Sequence, residues 1–109
     1  MATFEAQDIT WFPVETSSTS AVAVKAATAN KKVVLCGMWL VTAGAVTVTI
    51  EDSDGTNLSG PMSFAANGGI VLPTNQQGYQ VTASGKGLSI LLGGAVAVAG
   101  AIGYRLIDG

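Results

Sequence analysis

The sequence predicts an all-β fold, a jelly-roll-like antiparallel β-sandwich of about eight strands. In several segments, large apolar side chains alternate with small or polar ones, as they do on strands that cover a core with one face. Turn signals rich in Gly, Asn and Pro separate these segments, mostly at intervals of about 8 to 12 residues, which is typical of a sandwich or barrel. Because this pattern leaves the strand connectivity open, a sandwich of another topology is the alternative.

The first half of the chain holds the clearest strand patterns. Val22 and Val24 share one face of the first predicted strand. The second is apolar on both faces, which predicts a central strand covered on both sides. Its two faces are expected to hold Val33, Leu35, Trp39 and Val41 on one side and Val34, Cys36, Met38 and Leu40 on the other. In the third, Val46, Val48 and Ile50 alternate with threonines, so one face is expected on the core and the other in water.

The segment from Gly87 to Tyr104 contains no charged residue and is long enough for a helix across a bilayer. Near its end, however, large side chains alternate with alanines, which places them on one face of a strand, whereas a helix would spread them around its circumference. The pair Gly93-Gly94 in its middle predicts a turn. Two strands are therefore predicted here instead of a membrane span. All predicted strands lie near residues 20–26, 33–41, 45–51, 57–64, 69–72, 78–83, 87–92 and 95–107.

Residues 1–19 differ from the rest of the chain. An acidic stretch with Trp11, Phe12 and Pro13 leads into a run of serines and threonines that is typical of a tether. One interpretation is an arm that places Trp11 and Phe12 on a neighbouring subunit. The other is an extra edge strand, a position in which a proline is tolerated. With both open, the predicted division is an N-terminal arm and tether over residues 1–19 and a sandwich domain over residues 20–109.

The composition excludes several classes of function. Charged residues make up 11% of the chain, against roughly 25% in an ordinary soluble domain. The net charge of −2 gives no attraction to phosphate backbones, so nucleic acid is not an expected partner. The chain has no His and a single Cys, which excludes His-dependent catalysis, His zinc sites and an internal disulfide. No catalytic, cofactor-binding or metal-binding residue is predicted, and the protein is not expected to be an enzyme.

Three features of the sequence suggest chemistry, and for each a structural interpretation is favoured. The acidic run 51–57 departs from the EF-hand pattern and predicts a hairpin turn at Asp54-Gly55 instead of a calcium site. Cys36 lies in the most hydrophobic run of the chain and is expected to be a buried, inert thiol. The aromatic residues that are expected to pack in the core, and not to form a carbohydrate platform, are Trp39, Phe64 and Tyr79.

Three groups of turn glycines and strand residues follow one another between Lys25 and Ile107. They are Leu58-Ser59-Gly60-Pro61, then Gly78 with Thr82, Gly85 and Leu88, and finally Gly94, Gly100 and Tyr104. This order resembles that of small structural proteins of tailed bacteriophages. The resemblance implies a jelly-roll virion component, in the first place a head decoration or cement protein that sits as a trimer on the outside of a capsid. It implies no catalytic or ligand residues, because such proteins work through interfaces.

The scarcity of charge predicts an assembly independently, because monomers rarely leave large apolar patches in water. We therefore expect a homotrimer bound to the major capsid protein, on the outside of the virion after synthesis in the host cytoplasm, with no nucleic-acid or membrane partner. The alternatives are a phage tail, neck or fibre component and a carbohydrate-binding β-sandwich module. The expected interface residues are Trp11, Phe12, Pro13, Ala95, Ala97, Ala99 and Ala101.

Overall fold

The computed structural model describes residues 9–109, which form nine β-strands in two antiparallel sheets packed as a sandwich. Residues 9–109 contain no helix. The part of the predicted arm that precedes Ile9 lies outside the described residues. The strands are β1 (Thr10–Thr16), β2 (Val22–Lys25), β3 (Lys31–Thr42), β4 (Val46–Asp52), β5 (Met62–Phe64), β6 (Gly69–Leu72), β7 (Gln80–Val81), β8 (Leu88–Leu92) and β9 (Val98–Asp108).

The strand pairs make the fold a jelly roll. The first strand pairs with the last, β1 with β9, and the nesting continues inward as β2 with β8, β3 with β6 and β4 with β5. This nested ribbon folds into one sheet ordered β1-β9-β3-β6 and a second ordered β2-β8-β4-β5. The short strand β7 pairs with β3 on the same side as β6. The predicted all-β, jelly-roll-like sandwich is therefore confirmed.

The residues directly before the polar tether form β1, an edge strand of the sandwich. All seven residues of β1 pair with residues of β9. Val14 is buried in the core, so the strand contributes to the packing between the sheets. Pro13 is tolerated at an edge, where its missing N–H can point away from the neighbouring strand. Of the two interpretations of this segment, the edge strand is the one formed, and the sandwich begins at Thr10 instead of Ser20.

A β-bulge at Cys36 decides which side chains of β3 face the core. Leu35 pairs with Tyr104 and Gly37 with Gly103, so β3 uses two residues where β9 uses one. One extra residue reverses the alternation of side chains beyond it. The prediction that Trp39 and Val41 share a face with Val33 and Leu35 is therefore wrong. The side chains of β3 in the core are Val33, Leu35, Met38 and Leu40, while Trp39 and Val41 are exposed.

The uncharged segment near the C-terminus forms β8 and the first part of β9, as predicted. Gly93 and Gly94 lie in the connection, which carries the chain from one sheet to the other. Across residues 9–109, no helix has the length and apolar character that a membrane span requires.

The strand predicted near residues 57–64 is shorter and covers Met62–Phe64. Leu58 and Ser59 both donate their backbone N–H to the carbonyl oxygen of Ile50. The hydroxyl of Ser59 accepts the N–H of Ile50 at 3.0 Å. These loop contacts satisfy the backbone of β4 in place of a neighbouring strand, so β5 begins only after them.

The core lies between the two sheets and consists almost entirely of aliphatic side chains. Ile90 and Ile102 come from opposite sheets, and each has an exposed fraction of 0%. The buried cluster contains Val14, Val24, Val33, Leu35, Met38, Leu40, Val46, Val48, Ile50, Leu88, Ile90, Leu92, Val98 and Ile102. Because the inner faces supply this whole cluster, the core does not use the outer faces of the sheets.

Candidate functional site

The outer face of the β1-β9-β3-β6 sheet carries a continuous apolar surface. Strand register brings one residue of each strand into a row across this sheet, and that row is Pro13, Ala101, Trp39 and Val71. The adjacent row is Glu15, Ala99, Val41 and Gly69. The term "apolar face" is used below for the surface made of Trp11, Pro13, Trp39, Val41, Val71, Ala99 and Ala101.

Trp11 lies across two glycines on this face. A Cβ on Gly103 would lie 3.0 Å from three atoms of the Trp11 side chain, and a Cβ on Gly37 would lie 3.1 Å from one of the same three, Cη2. The indole therefore rests on the backbone of β9 and β3, and a residue larger than glycine at position 103 or 37 would displace it. Its other side remains open to solvent, since the residue is 43% exposed. The two glycines thus provide a flat floor for an aromatic ring at the surface.

The other large side chains of the apolar face are at least as exposed. The exposed fraction is 49% for Trp39, 53% for Val41 and 73% for Val71. With Trp11, these side chains leave on the order of 400 Å² of apolar surface in water, within the range of about 300–600 Å² for the largest patch of a typical monomer. Patches of that size are often functional, so this face is the candidate interface of the protein.

The structure brings together part of the predicted interface. Phe12 points inward, because neighbouring residues on a strand face opposite sides, and it pairs with Ile102 and packs against the core. Ala95 and Ala97 are exposed in the segment just before β9. Val71 alternates with two less exposed neighbours in β6, and this period-two pattern is the signal that could have found it. The predicted residues that lie on the apolar face are Trp11, Pro13, Ala99 and Ala101, and those missed are Trp39, Val41 and Val71.

The three aromatic residues expected in the core have different outcomes. Phe64 packs against the buried cluster, as predicted. Trp39 and Tyr79 are exposed, so the expectation is wrong for both. The bulge in β3 turns Trp39 outward, and the hydroxyl of Tyr79 donates to the carbonyl oxygen of Pro73 at 2.5 Å, which holds its ring at the surface.

The outer face of the second sheet has a different character. Thr47 of β4 lies opposite Ser63 of β5, and Glu51 of β4 lies opposite Ser89 of β8. Hydroxyl and carboxylate groups therefore line the strands there; Ser63 is exposed, whereas Glu51 and Ser89 are buried. The contrast between the two outer faces indicates that the apolar face is a specific feature and not a general property of this low-charge chain.

The acidic run forms a closed turn. The Oδ1 atom of Asp52 accepts the backbone N–H of Asp54 at 2.8 Å and that of Thr56 at 3.0 Å. Gly55 has a φ of 85°, so the predicted turn is confirmed. Asp54 also forms an ion pair with Lys86, and this hydrogen-bonded carboxylate raises the pKa of Lys86. Within residues 9–109, no group of three or more His, Cys, Asp or Glu side chains is placed to hold a metal ion.

Cys36 is fully buried at the bulge, as predicted. Its Sγ atom lies 3.6 Å from the carbonyl oxygen of Val34 and 4.0 Å from that of Gln76. Burial raises the pKa of the Cys36 thiol, and the nearby Arg105 offsets part of this effect. A thiol that is both buried and protonated has little nucleophilic character.

We expect Cys36 to react with iodoacetamide at least about 100-fold more slowly in the native protein than in the unfolded chain, because the thiol must first be exposed. Mass spectrometry of samples quenched over time, with and without denaturant, measures both rates. Since the chain has one cysteine, each modification is assigned without digestion. Native reaction at the rate of the unfolded chain would contradict the buried position.

No protein-family description matches this chain, and comparison with curated proteins and with solved structures gives no significant match.

Proposed function

We propose that this protein is a non-enzymatic structural component of a tailed-phage virion, a head decoration protein that stabilises the capsid as a surface-bound trimer. The observation that carries the proposal is the apolar face, on which Trp39 is 49% and Val71 is 73% exposed. The order of turn glycines that resembles phage structural proteins supports the same assignment. The jelly-roll fold agrees with what that resemblance implies.

The apolar face is suited to contact with protein. Its central rows contain tryptophan, valine, proline and alanine, which lose little by leaving water. Charged groups lie toward its ends, with Glu15 at one end and Arg105 and Lys32 at the other. An apolar centre with a polar rim is the usual anatomy of a protein interface. Binding through such a surface needs no reactive group.

Decoration would stabilise a capsid by adding contacts between its subunits. Each bound copy buries surface that must be exposed again before the shell can expand or break. Contacts that are individually modest become strong when several act at once on a fixed lattice, since the second and later contacts form at high effective concentration. A small, rigid sandwich without helices in its described part is well suited to this role, because its faces are held by a continuous core.

Purified particles provide the direct test. We expect the protein to copurify with the heads of its phage in hundreds of copies, to be removed by mild denaturation and to rebind to stripped heads. Stripped heads should rupture at a lower temperature than heads to which the protein has been added back. A count of a few copies per particle would instead assign it to the tail, neck or fibre. Absence from particles would contradict the proposal.

A carbohydrate-binding module is the second candidate, because Trp11 and Trp39 are exposed on the same face. Aromatic rings at a flat surface are a common way to hold the apolar side of a sugar ring. A glycan array and titration of tryptophan fluorescence with the resulting hits distinguish the two candidates. The four neighbouring aliphatic residues of the face, Val41, Val71, Ala99 and Ala101, favour a protein partner, since they offer no hydrogen bonds to sugar hydroxyls.

A further inference from the structure

We propose that the apolar face is covered by a second copy of this chain. The inference rests on the proposed function in one respect, in that it takes this face as an assembly surface. It goes further by naming the occupant: copies contact one another through the β1-β9-β3-β6 sheet in solution, before any capsid is bound. The capsid contact then lies on other surfaces of the assembled protein.

The size of the face matches what a stable self-contact needs. Strand β3 has 12 residues, which at about 3.3 Å per residue gives a length of about 40 Å. Four strands at a spacing of about 4.8 Å make the sheet about 19 Å wide. The other strands are shorter, with 11 residues in β9, 7 in β1 and 4 in β6, so the face offers roughly 540 Å² per copy, and two such faces together reach the roughly 1,000 Å² that a specific interface needs. One copy of this sheet can thus cover another without help from other surfaces.

The edges of the same sheet are poorly suited to the alternative, in which copies join by adding strands. At one edge, Pro13 stands in the middle of β1 and has no N–H to offer a new strand. At the other edge, β6 has four residues and β7 has two, so they offer few free backbone N–H and C=O groups to an added strand. Proline and short strands are the devices that protect sheet edges from pairing. Self-association therefore has to use the face of the sheet.

The shape of the apolar face is also complementary to the apolar face of a second copy. Two outward residues of β9, Ala99 and Ala101, are small and form a short low lane, which ends where the Trp11 indole covers Gly103. Beside this lane, Trp39 and Val41 of β3 stand out as a ridge. The ridge of one copy can enter the lane of another, which brings the sheets close together and buries both tryptophans. Charges of both signs lie only toward the ends, so copies meet no excess of like charge at the centre.

The test compares two charge substitutions on short edge strands. Val71→Glu places a carboxylate on the apolar face, at a residue that is 73% exposed and therefore contributes little to the stability of the fold. Ser63→Glu is the matched control, because Ser63 is exposed in the middle of β5 on the outer face of the other sheet. Sedimentation velocity between about 1 and 100 μM should show the wild type and Ser63→Glu as the same homo-oligomer and Val71→Glu as a monomer. The dissociation constant should rise at least about 100-fold, since the carboxylate would be buried without a partner.

Intrinsic fluorescence provides a second readout, because both tryptophans of the chain belong to the apolar face. Dilution of the wild type should shift the emission to the red and increase quenching by acrylamide, while Val71→Glu should show the dissociated spectrum at every concentration. Circular dichroism and thermal unfolding establish that each variant is folded.

The outcomes separate this inference from the proposed function. A wild type that is monomeric at 100 μM, or a Val71→Glu variant that assembles like Ser63→Glu, would overturn the inference, even if the protein binds capsids. A closed oligomer that Val71→Glu disrupts supports it, even if the protein is absent from virions. A contact between the same face of two copies has two-fold symmetry and closes at two copies, so a dimer would support the self-contact and contradict the trimer.

Discussion

Replacement of Gly100 by alanine should prevent the protein from folding to a stable state. Gly100 lies in β9 between Val14 of β1 and Leu40 of β3, with a φ of 153°, a conformation that residues with a Cβ rarely adopt. A Cβ at this position would lie 1.9 Å from the carbonyl oxygen of Trp39. Backbone strain and this overlap together should cost about 4 kcal/mol or more, a large part of the stability of a domain of this size.

The measurement is the yield of soluble protein together with thermal unfolding by circular dichroism, at one fixed protein concentration. Gly94→Ala is the matched control, because it makes the same chemical change shortly before the same strand. A Cβ on Gly94 meets no atom within 4 Å. The control should unfold within a few degrees of the wild type. Equal stability of the two variants would show that the backbone at Gly100 can accept a side chain and would contradict the packing of β9 against β3.

Replacement of Ile102 by alanine should lower the stability of the protein by about 3 kcal/mol, because it leaves a cavity in the core. Ile102 pairs with Phe12 on one side and Met38 on the other, and no part of it is exposed. For a domain of about this length, such a loss is a fall in Tm of roughly 15 °C. Thermal and urea unfolding at the same protein concentration measure it, since dissociation of an oligomer would otherwise shift the transition.

Leu106→Ala serves as the control for this cavity. Leu106 lies in the same strand and is 38% exposed, so its truncation removes less buried surface. A loss below about 1 kcal/mol is expected. If Leu106→Ala destabilised the protein as much as Ile102→Ala, the position of the core between β1, β9 and β3 would be contradicted.

Most strands of this protein are predictable from local alternation, because the direction of each side chain is determined by its neighbours on the same strand. The strand predicted near 69–72 has the observed bounds Gly69–Leu72, and the one predicted near 45–51 is Val46–Asp52. Prediction of strand bounds is less accurate where hydrogen bonds from a loop take the place of pairing between two strands. The loop contacts of Ser59 with Ile50 shorten β5, and the residue pattern of the strand does not predict these contacts.

The candidate site was predictable only in part. The sequence places Ala99 and Ala101 outside because large side chains alternate with alanines along β9, with Gly100 as the one gap. The sequence wrongly predicts Trp39 in the core, since the bulge at Cys36 exists only in the pairing of β3 with β9. The prediction that Phe12 shares an interface with its neighbour Trp11 fails because adjacent residues of a strand face opposite sides once β1 joins the sheet.

The sequence by itself determined the all-β class, the approximate strands and the turns between them. Each of these depends on interactions within a short window of the chain. Only the tertiary structure decided that β1 joins β9, that a bulge turns Trp39 outward and that one outer sheet face is apolar while the other is polar. The row of Pro13, Ala101, Trp39 and Val71 joins residues far apart in the chain, so it exists only after non-local strand pairing sets the register.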